Sequence, residues 1–417
     1  MHSSGNGARR YRSYTLATAA LIAVAGAGCG AVEVEGDSSL LNSAVEALGS
    51  TEPLQWVSTP AQLRAMTLTG NYALANDIEM AGQSFTPIGT PGSPFRGTFD
   101  GKNRVIKNLT FSRAGTSVTG LFGATQLAIV RNIGLTNVNI TGGNATGAII
   151  GVMTESDLIS SYVTGTVRTS GTTSPGTIGM AVGSMYGAAH ISRCYATGTV
   201  SGTAGSIGGF VGHMSSCSNP SSPPEITEVF TNVTVSPTTN VGTYTIFAGG
   251  LAGSGSGGWI ADVSTVGNVT GRDYAGGVVG GVENLDYCPG GYEDILSRGI
   301  VTVSNVPNRA GMIGYATPGT RFFRCGGIWD STTDGGTAPT VGYCVQRSES
   351  DSDLRAAHPA PNRLLWPFIH GALLPDGSGS DGDWGFGYDG ETPTWALNSS
   401  TQHVSLTRIP NPSVQPL

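Results

Sequence analysis

Three carboxylates recur at matching places in the sequence, where stacking would let them bind a cation or transfer protons. Glu228, Asp262 and Asp294 each stand one residue before an aliphatic residue in similar segments, and Arg193 and Arg324 occupy the corresponding places on either side. Stacked carboxylate oxygens could bind Ca²⁺, or paired acids could share proton transfer in polysaccharide cleavage. The alternative interpretation is a solvent-exposed column of acids whose negative charge the arginines offset. It requires neither a ligand nor a reaction.

The alignment of these positions depends on a glycine-bounded phrase that recurs seven times. Its closing glycines are 28, 32, 29, 41, 27 and 34 residues apart. A period in this range indicates stacked structural units that bury each other's apolar faces. The copies are Gly120–Gly123, Gly147–Gly151, Gly179–Gly183, Gly208–Gly212, Gly249–Gly253, Gly276–Gly280 and Gly311–Gly314.

The segments between the glycine phrases have the composition of β-strands. They are rich in Val, Ile, Thr and Tyr and tend to alternate polar with apolar residues. A propeller blade needs roughly 40–50 residues, whereas one coil of a parallel β-helix needs fewer. Glycine, at 64 of 417 residues, suits sharp corners and close backbone approach. The sequence therefore predicts an all-β chain, a parallel β-helix of about eight coils over residues 54–314. The clearest strand segments are Leu158–Val167, Ile191–Val200, Ile226–Val235 and Ile260–Val269.

The repeat resembles the GLUG-motif repeat of bacterial surface and secreted proteins. The resemblance lies in the phrase Gly-Gly-Phe-Val-Gly and in segments such as Ile191–Val200, and the stretches Leu63–Met80, Phe95–Gly101 and Ile106–Leu109 resemble the first part of that family. It covers about residues 54–330 and implies a right-handed parallel β-helix that is exported, often in adhesin-like chains. Some members carry a metallopeptidase domain, but this sequence contains no His-Glu-x-x-His. The resemblance thus implies a fold and a location but no catalytic residues.

Residues 1–28 have the layout of a secretory signal. Three arginines without an acid precede the apolar run Leu16–Ala27, which is shorter than a membrane-spanning helix. A small residue before Cys29 favours a lipoprotein signal, in which Cys29 becomes the lipid-bearing first residue. Ordinary cleavage near Ala27, giving a secreted protein, is the alternative.

Residues 29–53 are small, polar and acidic, and they predict a flexible tether. The chain carries a formal charge of −7, and removal of residues 1–28 would take away three arginines and no acid. An acidic chain is not expected to bind nucleic acid electrostatically. The expected contact with a membrane is therefore through the N-terminal lipid.

The cysteines suggest disulfides, since some thiols of an exported protein usually pair. Aligning the repeats places two cysteines in one inward column, which consists of Cys194, Val229, Val263, Ile295 and Cys325. Cys217 and Cys288 fall in corner insertions. We expect the pairs Cys194–Cys217 and Cys288–Cys325, with Cys344 unpaired, and Cys325–Cys344 is the rival pairing.

The two ends of a β-helix need caps, because they expose strand edges and the apolar interior. Thr59 and Pro60 predict the start of a short helix that ends near Met66 and covers the N-terminal end. Residues 315–417 are aromatic-rich and predict a final coil and an irregular cap. The acidic stretch Asp376–Asp383 resembles a calcium loop in composition but lacks EF-hand spacing.

These observations favour a lipid-anchored, non-enzymatic protein of the cell envelope, on the outer membrane or the cell surface. It would present an adhesin-like or structural face to glycans or to a surface protein, and no cofactor is expected apart from the Ca²⁺ considered above. One alternative is a polysaccharide lyase or hydrolase that uses Glu228, Asp262 and Asp294. The other is a periplasmic assembly component.

Overall fold

The structure is a computed structural model in which Leu54–Leu417 forms one compact unit. The predicted signal, with Cys29, and all of the predicted tether except Pro53 lie outside the described residues. So do most residues of the predicted C-terminal cap. The described residues are 53–113, 115, 118–169, 176–215, 223–238, 245–282, 290–297, 299–303, 309–310, 312–316, 325–329, 395–398 and 403–406.

The described part of the chain is almost entirely β-structure, with one helix, α1, at Pro60–Arg64. The strands are β1 (Leu54–Val57), β2 (Asn71–Leu74), β3 (Ile78–Glu79), β4 (Thr98–Lys107), β5 (Thr110–Ser112), β6 (Val118–Thr119), β7 (Phe122–Gln126), β8 (Ile129–Gly142), β9 (Ala145–Thr146), β10 (Ile150–Thr154), β11 (Asp157–Ile159), β12 (Tyr162–Thr169), β13 (Thr177–Gly179), β14 (Val182–Tyr186), β15 (His190–Gly202), β16 (Ser206–Gly208), β17 (Val211–Ser215), β18 (Glu225–Pro237), β19 (Phe247–Gly249), β20 (Ala252–Ser256), β21 (Gly258–Thr265), β22 (Val269–Gly271), β23 (Tyr274–Gly276), β24 (Val279–Val282), β25 (Gly290–Ser297), β26 (Val301–Val303), β27 (Arg309–Ala310), β28 (Cys325–Trp329), β29 (Trp395–Asn398) and β30 (His403–Leu406).

The strands form three parallel sheets that run the length of a β-solenoid, which confirms the predicted fold class. Each complete coil contributes to a 15-stranded sheet, a seven-stranded sheet and a six-stranded sheet. The six-stranded sheet, in the order β24-β20-β17-β14-β10-β7, marks about six complete turns, fewer than the eight expected. The segments at the two ends account for the difference, since Ile88 and Phe95 at the start and Ile313 and Ala316 at the end join this sheet only through isolated bridges. A separate antiparallel pair, β29–β30, lies near the C-terminus.

The glycine phrases mark the corner between the seven-stranded and six-stranded sheets, where two backbones come very close. A Cβ atom on Gly208 would lie 1.9 Å from the carbonyl oxygen of Val211, and one on Gly249 would lie 1.9 Å from that of Ala252. No side chain fits at such distances. The repeated glycines are therefore a steric requirement of this corner.

The solenoid interior is filled by one continuous cluster of apolar side chains. Representative members from successive coils are fully buried: Val130, Leu158, Ile191, Ile226 and Ile260. Each such side chain contributes about 1.5–3 kcal/mol through burial. Because the described interior is packed with side chains, a ligand would meet the outer surface of the coils.

The N-terminal helix begins as the sequence predicts. The Thr59 side chain accepts a hydrogen bond from the Gln62 backbone N–H at 3.2 Å, and Pro60 follows at the first helical position. Leu63 is fully buried and Met66 is 8% exposed. The helix is thus held by its cap and by its apolar face.

Candidate functional site

The structure places three of the predicted site residues at equivalent positions of adjacent strands. Arg193 in β15, Glu228 in β18 and Asp262 in β21 lie immediately before the paired residues Cys194, Val229 and Val263. All three are partly exposed, which puts this column on the outer surface. We refer to these three residues, with the residues in register with them, as the corner column.

The corner column continues on both sides. Asn132 and Ser160 precede it in register, and the backbone of Asp294 follows in β25 next to the pair Val263 and Ile295. The side chain of Asp294 and the whole of Arg324 lie outside the described residues. The structure therefore brings together Arg193, Glu228 and Asp262 from the predicted set.

The backbone conformation of the corner column explains why its residues are polar. The φ angles are 56° at Arg193, 53° at Glu228 and 53° at Asp262, with similar values at Asn132 and Ser160. This left-handed conformation disfavours β-branched residues and favours short polar ones such as Asn and Asp. The column turns outward because the chain bends at these five positions, which simple strand alternation does not produce.

The corner column brings two carboxylates to neighbouring coils. Paired parallel strands lie about 4.8 Å apart, so the Glu228 and Asp262 side chains project from neighbouring backbone positions of the same column. Within the described ranges, no group of three or more His, Cys, Asp and Glu side chains is arranged to hold a metal ion.

Cys194 does not form the predicted disulfide with Cys217. It is a free thiol that is fully buried, and its Sγ donates a hydrogen bond to the Ser192 carbonyl oxygen at 3.1 Å and accepts one from the Ser161 N–H at 3.4 Å. Burial raises the pKa of the thiol to about 12. The side chain points into the core, whereas Cys217 belongs to a corner insertion outside the described residues.

Cys325 does not belong to the inward column in which the sequence alignment placed it. Cys194, Val229, Val263 and Ile295 pair in register as expected. The next strand shifts, so that Gly327 pairs with Ile295 and Cys325 pairs with Tyr292. Equal spacing of repeats could not reveal this bulge. Cys288 and Cys344 lie outside the described residues, so both pairings proposed for Cys325 remain predictions.

A charged cluster around Asp100 was not anticipated from the sequence. The Asp100 side chain is 4% exposed and forms ion pairs with Lys102 Nζ at 3.1 Å and Arg131 Nε at 3.0 Å. It also accepts hydrogen bonds from the Lys102 backbone N–H and from Asn132 Nδ2. Burial opposes the charged form, but these donors outweigh it and lower the pKa of the carboxyl. The cluster ties β4 to β8 and has the character of a structural anchor.

A second cluster, centred on His213, was also missed. His213 Nδ1 lies 2.8 Å from Ser254 Oγ, which lies 2.7 Å from Ser206 Oγ. Burial lowers the pKa of His213 to about 4, so the imidazole is neutral at physiological pH. In the sequence these residues are 41 and 48 apart. Only the repeat alignment, applied to polar outward positions, could have suggested their contact.

Among the residues that the structure describes, no helix combines the length and the apolar character that crossing a bilayer requires.

Comparison with known proteins finds partial similarities. No protein-family model matches the chain. A segment of 114 residues, 25% of the chain, is 32% identical to Halomucin of Haloquadratum walsbyi. The match spans 1% of the length of Halomucin.

Two solved structures are similar to the chain. One is a candidate immunoglobulin A1 protease from Bacteroides ovatus, with 20% identity, a TM-score of 0.44, and coverage of 70% of this chain and 80% of that one. The other is an IgA1 protease, with 22% identity, a TM-score of 0.48, and coverage of 65% of this chain and 21% of that one. At these values no activity is transferred from either protein, and the fold follows from the strand pairing itself.

Proposed function

We propose that this chain is an exported, non-enzymatic protein of the cell envelope, anchored by a lipid on Cys29, that presents the outer surface of its β-solenoid to glycans or protein partners. The observation that carries the proposal is the packed apolar interior of the solenoid. Ligands must then bind to the outer faces of the sheets and corners, as in other solenoids with extended binding surfaces. Membership of the GLUG-repeat family is part of the same proposal and is supported by the glycine phrases at the sheet corners.

The location can be tested by treating intact cells with protease and probing for the chain by immunoblot. Surface display predicts loss of the chain while a periplasmic control protein survives. If the chain survives until the envelope is broken, the surface proposal is wrong and the periplasmic alternative is favoured. Replacement of Cys29 by Ser should release the protein from the membrane fraction if Cys29 carries the lipid. Unchanged membrane association would contradict the lipid anchor.

The enzymatic alternative is favoured by one observation, the placement of Glu228 and Asp262 at equivalent corners of paired strands. Acids so placed could divide acid and base roles in the cleavage of a polysaccharide. The test is release of reducing ends or unsaturated products from neutral and acidic polysaccharides. An activity that Asp262→Asn abolishes, with the melting temperature unchanged, would establish the enzyme. Equal products from wild type and Asp262→Asn would exclude a role for this acid.

A further inference from the structure

Two outward columns meet beside the glycine corner and change in character along the solenoid. Pairing puts Ser206, Phe247 and Tyr274 in one column of the seven-stranded sheet. In the six-stranded sheet His213, Ser254 and Gly281 are in register, and the bridge between Val282 and Ala316 puts Tyr315 next to Gly281. Over these coils the first column changes from Ser206 to the rings of Phe247 and Tyr274, and the second changes from His213 and Ser254, through Gly281, to Tyr315. The aromatic face is defined by Phe247, Tyr274 and Tyr315.

The shape of the aromatic face depends on Gly281, which has no side chain. A Cβ on Gly281 would lie 2.3 Å from the ring of Phe247, so the ring occupies the space that Gly281 leaves. Phe247 stacks on Tyr274 with ring centroids 5.6 Å apart and is itself only 8% exposed. Tyr274 and Tyr315 lie 4.6 Å apart and are partly exposed. A buried ring thus supports two rings that reach solvent.

A charged pair borders the aromatic face. Asp273, next to Tyr274 in the chain, accepts hydrogen bonds from Arg272 Nη2 at 2.7 Å, from Arg272 Nε at 3.0 Å and from the Ile246 N–H at 2.7 Å. The Asp273 side chain is 32% exposed and that of Arg272 is 20% exposed. Both charged groups are therefore held in place and still reach solvent, directly before Tyr274 in the chain.

We propose that the aromatic face binds a neutral polysaccharide, an inference that rests on the proposed surface function and names its ligand class. A pyranose ring has an apolar C–H face and hydroxyls at its edge. The rings of Tyr274 and Tyr315 match the apolar face, because amphipathic aromatic side chains favour contacts that are apolar at one side and wet at the other. The Asp273 carboxylate accepts from hydroxyls and the Arg272 guanidinium donates to them.

Charge and geometry narrow the ligand to this class. The chain carries a net charge of −7, which disfavours polyanionic chains such as alginate. The coils repeat about every 4.8 Å, so the two columns present a regular series of positions along the solenoid. A polymer of neutral sugars can follow such a series. One sugar ring would pack on Tyr274 and Tyr315, and the hydroxyls of the following sugars would meet the polar side chains near His213.

The test is affinity electrophoresis of the purified full-length mature chain through gels that contain xylan, mannan, dextran or barley β-glucan, with alginate as the anionic comparison. We expect retardation by at least one neutral polysaccharide and none by alginate. Tyr315→Ala and Tyr274→Ala should each weaken binding about tenfold, the loss expected for one aromatic contact. Tyr274→Phe, which keeps the ring, should bind nearly as wild type does.

The matched control is Tyr162→Ala, which removes another outer tyrosine that stacks on Tyr195 away from this face. It should leave retardation unchanged, and thermal melting should show that every variant is folded. The proposal is overturned if no neutral polysaccharide retards the chain, if the Tyr274 and Tyr315 variants bind as wild type does, or if Tyr162→Ala loses binding equally. A concentration-dependent dimer that Tyr315→Ala abolishes would assign the face to a second copy instead. Surface exposure in the protease experiment without glycan binding would leave the proposed function standing and refute this inference alone.

Discussion

His213 and Ser254, on adjacent strands of the six-stranded sheet, are joined by a 2.8 Å hydrogen bond between Nδ1 and Oγ. Ser206 extends this link to the neighbouring seven-stranded sheet. A neutral imidazole thus helps to fix one sheet against the other at the corner. Because burial lowers the pKa of this imidazole, the stability of the fold should depend on pH.

Stability should fall in mild acid because of His213. Its folded pKa is about 4, below the value of about 6.5 for an unfolded chain, so the unfolded state gains a proton first as the pH falls. The contribution is present above pH 6.5 and is lost toward pH 4, and it amounts to at most about 3 kcal/mol. Urea unfolding of wild type and His213→Asn at pH 7, 5.5 and 4.5 should show the difference between them shrinking. A difference that does not change with pH would contradict this assignment.

The carboxylate of Asp100 should matter far more than that of Asp77. Asp100→Asn removes the buried anion, while Arg131 and Lys102 stay 20% and 45% exposed, so we expect a cost of about 1.5–3 kcal/mol in the free energy of unfolding from the lost charge-assisted hydrogen bonds. Asp77 pairs with Lys107 at 2.8 Å, but both side chains are more than 40% exposed, so Asp77→Asn should cost less than about 1 kcal/mol. Urea denaturation of both variants measures this. Equal losses would show that the Asp100 cluster is not an anchor.

The same carboxyl should make the fold sensitive to strong acid. The pKa of Asp100 is lowered in the folded state, so its stabilisation is present above the unfolded value of about 3.9 and is lost as the pH falls below it. In acid titrations followed by circular dichroism, wild type should lose stability relative to Asp100→Asn below about pH 4. Parallel curves for the two proteins would contradict the lowered pKa.

The glycines at the sheet corner should not tolerate alanine. Gly249→Ala would force a Cβ to within 1.9 Å of the Ala252 carbonyl oxygen, so we expect a loss of about 3 kcal/mol or failure to fold. Gly92→Ala is the matched control, because nothing lies within 4 Å of its Cβ position. Its melting temperature should equal that of wild type or exceed it slightly. A stable Gly249→Ala protein would mean that the corner can open.

Cys194 should resist thiol reagents in the folded protein. The thiol is fully buried and its pKa is raised to about 12, so the reactive thiolate is scarce. Peptide mapping after treatment with iodoacetamide should find Cys194 unmodified in native protein and alkylated in urea without reductant. If alkylation in urea requires a reductant, Cys194 is in a disulfide and its assignment as a free thiol is wrong.

The corner column should follow the rules of a left-handed backbone. At Asp262, where φ is 53°, Asn should be tolerated, whereas Val should cost about 1–2 kcal/mol because its β-branch clashes in this conformation. Chemical denaturation of Asp262→Asn and Asp262→Val measures the difference. Equal stability of the two variants would argue against a conformational origin for the polar column.

The repeat made much of the architecture predictable. Recurring glycine phrases and Val- and Thr-rich segments determined that the chain stacks parallel strands, because only a repeated coil satisfies both signals. The helix start at Thr59 and Pro60 was also predictable, because N-capping depends only on residues that are neighbours in the chain. The alignment of Cys194 with Val229, Val263 and Ile295 followed from equal segment lengths, and it failed at Cys325, where a bulge shifts the register.

The fold class, most strand segments and the column of Arg193, Glu228 and Asp262 thus follow from the order of residues along the chain. The left-handed backbone of this column, the buried free thiol of Cys194 and the number of about six coils depend on how the coils pack, and the residue pattern did not predict them. The same packing decides contacts such as Asp100 with Arg131 and His213 with Ser254, which join residues 31 and 41 apart. Such pairs meet because coils of unequal length are brought into register by backbone pairing and core packing, which no local pattern encodes.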